Sequence, residues 1–245
     1  MPRFYAPGVE RVGAPVALPE EEAHHLRHVL RLDVGARVSV FDGRGGEYVA
    51  AVDRVSRQAV IVRPLEATPS APEASVAVTL APAVLKGRAF DGVVRDAVML
   101  GVVAVQPLLV AQLAVHGPTV RRPGGVARWR RIAVSAAKQS GRAVVPVVHD
   151  AVDATRFAAG DRSALSLVLA EPAAGREAIR LRTLAAARPA TIAVAVGPEG
   201  GWTPAEIHAF TQHGFQPVTL GGRTLRAETV PIATLAALLC LWDET

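Results

Sequence analysis

Two glycine-bearing segments near the C-terminus combine the residue types of a ligand-binding loop. The first, residues 196–206 (VGPEGGWTPAE), follows an apolar run at 191–196 that predicts a buried strand. Thr203, Pro204 and Glu206 then match the N-cap, the first and the third helical positions of a capping box. A strand, a glycine-rich turn and a capped helix present backbone N–H groups to a ligand, although the turn alone is equally typical of a tight connection.

The second segment, residues 220–229 (LGGRTLRAET), follows a predicted strand at 217–220. Ligands of open α/β sheets bind beyond the carboxyl ends of strands, so two such loops predict one pocket for a flat heteroaromatic ligand. The first loop lacks the G-x-G-x-x-G spacing and a P-loop lysine. This disfavours an NAD-dependent dehydrogenase.

Arg226 and Glu228 lie two residues apart, directly before an apolar helix. If the segment is extended, the two side chains share a face. One hypothesis is a structural ion pair. The other is that Arg226 holds a phosphate or a developing negative charge, while Glu228 or Glu199 orients it or acts as a base. The residues alone leave both open.

The composition indicates a globular protein. The chain has 245 residues, of which 50% are hydrophobic and 20% charged. A single cysteine excludes an intramolecular disulfide and a multi-cysteine zinc site, and favours a reducing compartment. The N-terminus has no apolar signal core, and no apolar run approaches membrane-spanning length, so we expect a cytoplasmic location.

The net charge of +5 is concentrated in residues 71–150. Within this region residues 121–142 contain no acid, and their basic residues are Arg121, Arg122, Arg128, Arg130, Arg131, Lys138 and Arg142. Arginine suits bidentate phosphate contact, so this segment is a candidate phosphate-binding surface. A solvated helix face would have the same composition.

We expect no metal site. His24 and His28 lie on one face of a predicted helix, but no third ligand is evident. In the predicted helix 230–243, Thr234 is the only polar residue before Asp243. Such a helix should be buried on every side, in the core or in a homodimer interface. Cys240 within it is expected to be a small core residue.

The order of predicted elements indicates two domains. A helix at 19–31 precedes strands at 37–42, 47–55 and 58–63, and a proline-rich boundary at 67–72 divides the chain into residues 1–70 and 71–245. Strands then alternate with helices, which predicts a mostly parallel sheet covered on both faces. The strands are 76–81, 102–108, 144–148, 165–169, 191–196 and 217–220, and the helices are 88–100, 127–138, 175–187, 204–213 and 230–243.

Taken together, VGPEGGWTPAEI and LGGRTLRAETVPIATLAAL resemble the C-terminal signature of the RsmE family. These are ribosomal small-subunit RNA (uracil-N(3)-)methyltransferases of the SPOUT class. The opening RFYAP and HHLRHVLRLDVGARVSVFDGRGGEYVA are similar to the family's N-terminal PUA-like RNA-binding β-barrel. KGRAFDGVVRDAVMLGVVAVQPL and RWRRIAVSAAKQSGRAVVP follow in family order, so the resemblance covers nearly the whole chain.

The resemblance implies an α/β SPOUT domain with a deep C-terminal trefoil knot. It also implies S-adenosylmethionine bent between the two loops, an active site at a homodimer interface, and 16S ribosomal RNA methylated at N3 of a uridine. The alternatives are a SPOUT enzyme acting on another RNA, such as transfer RNA, and a non-catalytic RNA-binding protein of ribosome assembly.

By position, the resemblance assigns residues to three roles. The cofactor pocket comprises Leu169, Glu171, Val196, Gly197, Glu199, Gly200, Leu220, Gly221, Leu225 and Arg226. Arg226 and Glu228 should lie beside the methyl group, with Glu199 as the other candidate base. RNA contacts are expected from the barrel and the basic segment, at Arg3, Arg27, Arg31, Arg128, Arg130, Arg131, Lys138 and Arg142.

Overall fold

The computed structural model describes residues 1–111, 125–171 and 178–244. The chain forms two compact units. The first comprises Met1–Glu73 and Val134–Val145, and the second Ala74–Ala133 and Pro146–Thr245. Within the described ranges, no helix has both the length and the apolar character needed to cross a bilayer.

The first unit is built on a curled five-stranded sheet, which agrees with the predicted PUA-like barrel. Its strands run in the order β1-β3-β4-β5-β2. The first pairing, β1 with β3, is parallel and the others are antiparallel. The strands are β1 Arg3–Tyr5, β2 Val16–Ala17, β3 Arg37–Phe41, β4 Glu47–Val55 and β5 Val60–Thr68. Side chains alternating along β3, β4 and β5 fill one core together with Phe4 and Leu26.

Two features of this unit differ from the prediction. The strand expected to end at residue 63 continues to Thr68. Opposite Val49 and Ala50 the register shifts and Leu65 of β5 is left out of the pairing, next to Pro64, which has no N–H for the ladder. The predicted helix 19–31 is α-helical only over Glu20–His24 (α1) and becomes π-helical over His25–Leu30. It ends at Arg31, whose φ of 51° is left-handed.

The second unit contains a seven-stranded sheet in which every pairing is parallel, as predicted. The strand order is β12-β14-β11-β13-β6-β7-β9, and β8 pairs with β10 separately. The strands are β6 Ala77–Pro82, β7 Ala104–Val105, β8 Leu108–Leu109, β9 Val147–Val148, β10 Val152–Asp153, β11 Leu165–Leu169, β12 Ile179–Arg180, β13 Thr191–Val196 and β14 Gln216–Thr219. Every residue of β13 after Thr191 is buried, so both faces of the sheet are covered there.

The helices that follow α1 are α2 Ala89–Met99, α3 Gly125–Ser140, α4 Ala154–Gly160, α5 Pro204–Gln212 and α6 Thr229–Leu241, with a 3₁₀ helix at Leu181–Leu184. The α4 and α5 helices pack together, and so do α2 and α6. Phe210 of α5 packs on the small residues Ala193 and Ala195 of β13, which allow the helix to approach the sheet closely.

Three predictions for this unit were incomplete or wrong. The strand expected over 102–108 is split into β7 and β8, because Pro107 lies between them and cannot donate to a ladder. The helix expected over 175–187 is a strand and a 3₁₀ turn where the chain is described, because pairing of β12 with β14 overrides the helix propensity of this stretch. Helix α4 was not predicted, although Asp153 is its N-cap. The trefoil knot stays a prediction, since strand order alone does not define it.

Candidate functional site

A cavity lies at the carboxyl ends of β14, β11 and β13, which are neighbours in the sheet. Its lining residues come from three segments, 169–171, 196–202 and 219–230. Because the three strands are parallel, the loops that follow them emerge at the same edge, where α/β sheets bind ligands. The two glycine-bearing loops are thus neighbours in the fold.

The capping box predicted for the first loop is confirmed. The Thr203 hydroxyl accepts from the Glu206 N–H at 3.2 Å, and the Glu206 carboxylate accepts from the Thr203 N–H at 2.8 Å. Glu206 has a further role that the sequence did not indicate. Its other oxygen accepts from the N–H of Ala111 at 2.9 Å, which ties the segment after β8 to the start of α5. This carboxylate is buried and fully used in positioning backbone.

Trp202 joins the first loop to β11, and it was not among the predicted site residues. Its indole Nε1 donates to the carbonyl of Leu169 at 3.0 Å. The ring lies so close to Gly197 that a Cβ there would be 3.1 Å from Nε1. The sequence does contain a signal that could have identified it. A tryptophan directly after the glycines points to a site contact, because an indole N–H in a packed site needs an acceptor.

Gly201 is the other position where glycine is required. Its φ of 71° is left-handed, and a Cβ would lie 2.9 Å from the Glu171 carboxylate. The close approach of backbone to this carboxylate brings the ends of β11 and the first loop together on one wall of the cavity.

A shared face for Arg226 and Glu228 would require an extended segment before α6, but the segment is not extended. Glu228 has helical backbone angles and is the N-cap of α6, and the carbonyl of Arg226 accepts from the N–H of Thr229 at 2.9 Å. The two side chains form no ion pair with each other, and neither has another side-chain partner within the described ranges. The hypothesis of a structural ion pair between them is therefore wrong.

The structure places seven of the predicted cofactor residues around the cavity: Leu169, Glu171, Val196, Gly197, Glu199, Leu220 and Leu225. Gly200, Gly221, Arg226 and Glu228 belong to the same loops but do not line it. The lining also includes residues that were not predicted, among them Trp202, Thr219 and Arg223.

The cavity combines apolar walls with a few charged groups. Leucine and valine side chains supply the walls, while Glu171, Glu199 and Arg223 are exposed at its margin. None of these three has an ion-pair partner in the part of the chain that the structure describes. Apolar walls with a few convergent polar groups are typical of a small-molecule site, and the carboxylates suit a cationic ligand.

Four of the side chains predicted to contact RNA already have hydrogen-bond or ion-pair partners within the first unit. Arg3 donates to the Glu47 carboxylate at 2.8 Å and to the carbonyls of Ala137, Lys138, Gly141 and Arg142. Arg27 donates to Glu20 and to the carbonyls of Ser56 and Arg57. Lys138 bonds Glu22 at 2.7 Å, and the buried Arg142 pairs with Glu73. These bonds give the four side chains structural roles, and the geometry does not favour them as phosphate contacts.

The pKa of Glu47 reflects its hydrogen bonds with Arg3 and Ser39. Burial raises the pKa of Glu47, but hydrogen bonds from Arg3 and Ser39 outweigh it and hold the pKa below its ordinary value of 4.5. Arg3 also lies 4.0 Å from the centroid of the Phe41 ring.

The other predicted RNA contacts lie at the surface. Arg31 is exposed, and so are Arg128, Arg130 and Arg131 on α3. Arg128 pairs with Asp91, and Arg130 with Asp150 at 3.0 Å. Exposed ion pairs of this kind contribute about 0–1 kcal/mol, so an RNA phosphate can replace either carboxylate. Arg121 and Arg122 lie outside the described residues.

The histidines and Cys240 also have defined places. His24 and His28 pack ring to ring at 4.7 Å, and no group of three or more metal-binding side chains occurs in the described part of the chain. Cys240 is exposed, so its expected place in the core is wrong. It lies on α6 with the exposed Ala236, and Ile232, Ala233 and Ala237 beside them are only partly buried. The expectation that α6 is buried on every side does not hold within one chain.

Comparison with known proteins agrees with the fold. The family described as RNA methyltransferase domain matches residues 72–239, and the RNA methyltransferase PUA domain matches residues 18–65. A ribosomal RNA small subunit methyltransferase E of Synechocystis is 36% identical over 95% of this chain and 75% of the relative.

Two solved structures are similar over nearly their whole length. A methyltransferase of Legionella pneumophila with bound S-adenosylmethionine has a TM-score of 0.88 at 29% identity, over 97% of this chain and 96% of the other. A ribosomal RNA small subunit methyltransferase E of Neisseria gonorrhoeae bound to S-adenosyl methionine has a TM-score of 0.81 at 32% identity, over 100% of each chain. The chain therefore belongs to the RNA methyltransferase family that includes the ribosomal RNA small subunit methyltransferases E.

Proposed function

We propose that the protein is an S-adenosylmethionine-dependent methyltransferase that methylates N3 of a uridine in 16S ribosomal RNA. The observation that carries the proposal is the cavity between the two glycine-bearing loops, in a chain whose relatives with the same fold bind this cofactor. In this proposal residues 1–70 contribute to RNA recognition and residues 71–245 perform the methyl transfer. Because the proposed substrate is ribosomal RNA, a cytoplasmic location is part of this proposal.

The residues of the cavity fit the cofactor. Leu169, Val196, Leu220 and Leu225 offer apolar surface for a flat base. Glu171 and Glu199 offer acceptors for ribose hydroxyls or an ammonium group. Side chains at positions 197 and 201 would fill the space against Trp202 and Glu171, so the glycines keep the cradle open. When bound, the cofactor supplies an activated methyl group on a sulfonium.

The protein's own contribution is positioning and proton transfer. Uracil N3 carries a proton that must leave before or during methylation. We assign its removal to Glu199 or Glu228, because both carboxylates lack a partner within the described ranges and lie in the two loops. Arg226, exposed and also unpaired there, stabilises the negative charge left on the base.

One experiment tests this function. Unmodified small ribosomal subunits are incubated with the protein and isotope-labelled S-adenosylmethionine, and the labelled nucleoside is mapped by mass spectrometry. We expect 3-methyluridine in 16S RNA. Arg226→Ala should bind the cofactor normally and lose methylation at least about 100-fold, as expected for loss of an electrostatic group. Labelled transfer RNA instead of ribosomal RNA, or no cofactor binding by calorimetry, would support the alternatives.

Arg31, Arg128, Arg130 and Arg131 are proposed as RNA phosphate contacts because all four are exposed. Reversing the three arginines of α3 to glutamate should weaken RNA binding and reduce its salt dependence, while cofactor affinity stays constant. Unchanged RNA affinity would refute these contacts.

A homodimer is proposed from the exposed apolar stripe of α6. Ala236 and Cys240 are exposed on this helix, Ile232, Ala233 and Ala237 beside them are partly buried, and a second copy of the chain would cover this face. Light scattering after size exclusion should give twice the chain mass for the native protein. For Ala236→Glu it should give the mass of one chain. Ala159→Glu is the matched control, because Ala159 is also exposed but lies on α4. A monomeric native protein would contradict the proposal.

A further inference from the structure

The loops at the amino edge of the parallel sheet use their basic side chains within the protein. Arg188 precedes β13 and pairs with Glu244 at 2.7 Å. Arg162 precedes β11 and donates to the carbonyls of Ala159 and Asp161 at 3.0 and 2.6 Å. Arg162 and Arg188 of this edge are therefore neutralised or hydrogen-bonded locally.

The carboxyl edge differs. Lys86 and Arg88 lie in the segment that follows β6, while Arg180 ends β12 and Arg182 lies in the 3₁₀ turn after it. All four side chains are exposed, and none has a hydrogen-bond or ion-pair partner among residues 1–111, 125–171 and 178–244. Below, these four residues are called the flanking cations.

The strand order places the two pairs on opposite sides of the cavity. The cavity lies at β14, β11 and β13, and the next strands outward are β12 on one side and β6 on the other. The pairing of Arg180 with Thr219, a lining residue, anchors the first side. On the second side the Ala83 N–H donates to the carbonyl of Val196, another lining residue, at 2.8 Å.

The separation of the two pairs follows from the spacing of the strands. Adjacent strands lie about 4.8 Å apart, so β12 and β6, four spacings from each other, are separated by about 19 Å at this edge. The carboxylates of Glu171 and Glu199 lie between the pairs, at the cavity itself. Arg223 also lines the cavity, so positive charge is not confined to the periphery; the flanking cations add positive charge on both sides of the cavity, which attracts phosphates there.

We propose that the flanking cations bind the RNA phosphates on the two sides of the target nucleotide and so hold its base over the cavity. This inference rests on the proposed methyltransferase function, and it adds the residues that hold the RNA backbone on both sides of the cavity. Lys86 and Arg88 bind the backbone on the β6 side, and Arg180 and Arg182 bind it on the β12 side. These contacts do not distinguish one base from another. They fix the position of the RNA on the protein, as phosphate contacts generally do.

The test uses three double variants of the full chain. Lys86→Glu/Arg88→Glu and Arg180→Glu/Arg182→Glu remove one side each, and Arg162→Glu/Arg188→Glu is the matched control at the amino edge. Affinity for a 16S RNA fragment is measured by fluorescence anisotropy over a salt series, and cofactor affinity by calorimetry. Circular dichroism melting establishes that each variant is folded, and the corresponding alanine pairs replace any variant that is not.

We expect each flanking variant to weaken RNA binding at least about tenfold, and to reduce the slope of log K against log salt by about 1.4, or 0.7 per single-strand phosphate. The control should keep RNA affinity within about twofold, and all variants should keep cofactor affinity. The proposal is overturned if either flanking variant binds RNA like the native protein, or if the control loses as much. Failure of the proposed function itself would be distinct, because the native protein would then bind no cofactor or methylate no RNA.

Discussion

Replacing Trp202 by phenylalanine tests whether one hydrogen bond holds the cofactor loops in register. The Nε1 donor to Leu169 is lost, while an aromatic ring remains beside Gly197 and Phe210. The substitution therefore removes the tie between β11 and the first loop with little loss of buried apolar area. If the tie positions the cavity walls, cofactor binding should suffer more than folding.

The magnitude follows from the bond and from the group it leaves behind. A hydrogen bond of this type contributes about 0.5–1.5 kcal/mol net, and an acceptor left unsatisfied in a buried place costs about 1–3 kcal/mol. Leu169 is buried, but it lines the cavity, where water can partly compensate. We therefore expect about 1–2 kcal/mol, which corresponds to about a 5- to 30-fold weaker cofactor affinity.

The chain offers a matched control in Trp242. Its Nε1 donates to the carbonyl of Leu184 at 3.1 Å, and it does not line the cavity. Trp242→Phe removes the same type of bond from the same unit. Isothermal titration with S-adenosylmethionine and urea unfolding are measured for both variants. Trp242→Phe should lower the free energy of unfolding and leave cofactor affinity within about twofold.

The reasoning would be refuted if Trp202→Phe bound the cofactor as tightly as the native protein, or if both variants lost affinity by the same factor. The first result would mean that the Leu169 bond does not position the loops. The second would mean that affinity follows global stability. A double variant, Trp202→Phe with Trp242→Phe, should then show whether the losses add.

Three further predictions concern groups with defined partners. Gly197→Ala places a methyl group 3.1 Å from the Trp202 ring and should weaken cofactor binding about tenfold or more, measured by calorimetry, with the Kd for RNA unchanged. Glu206→Gln removes one capping-box acceptor and should lower the free energy of unfolding by about 1–2 kcal/mol in urea titrations; no change would show that an amide substitutes fully. Because the folded pKa of Glu47 lies below 4.5, its stabilising contribution is present above pH 4.5 and is lost as pH falls through the folded value, so Glu47→Gln should be less stable near neutral pH and flatten the acid limb of stability against pH.

The loops of the site were predictable from sequence because their constraints are local. A capping box is defined by three neighbouring residues, and Thr203, Pro204 and Glu206 adopt it as expected. Strand β13 needed only an apolar run of six residues. The contacts that join the loops are between distant parts of the chain, and local sequence does not define the acceptor of the Trp202 indole or the donor to the second Glu206 oxygen.

The basic residues show the limit of composition more clearly. Arginines in 121–142 look alike in sequence, but Arg142 is buried against Glu73 whereas Arg131 is exposed. Arg3, far away in sequence, caps the carbonyls after α3. Whether a cation is available to a phosphate depends on its tertiary partners, which residue type and local spacing do not define. For the same reason the apolar pattern of α6 predicted burial but not which side stays uncovered.

The strand order has a consequence for how the chain reaches its native state. At the centre of the sheet Ala77 of β6 pairs with Thr191 of β13, and most of the second unit lies between them in sequence. The entropy cost of closing so long a loop must be met before the strand pairing contributes any stability, and such high contact order slows folding. During synthesis β6 therefore has only the two-residue strand β7 beside it in the sheet until β13 has left the ribosome. The early strands of the second unit depend on that late partner, and truncation before residue 191 should leave this unit aggregating rather than folded.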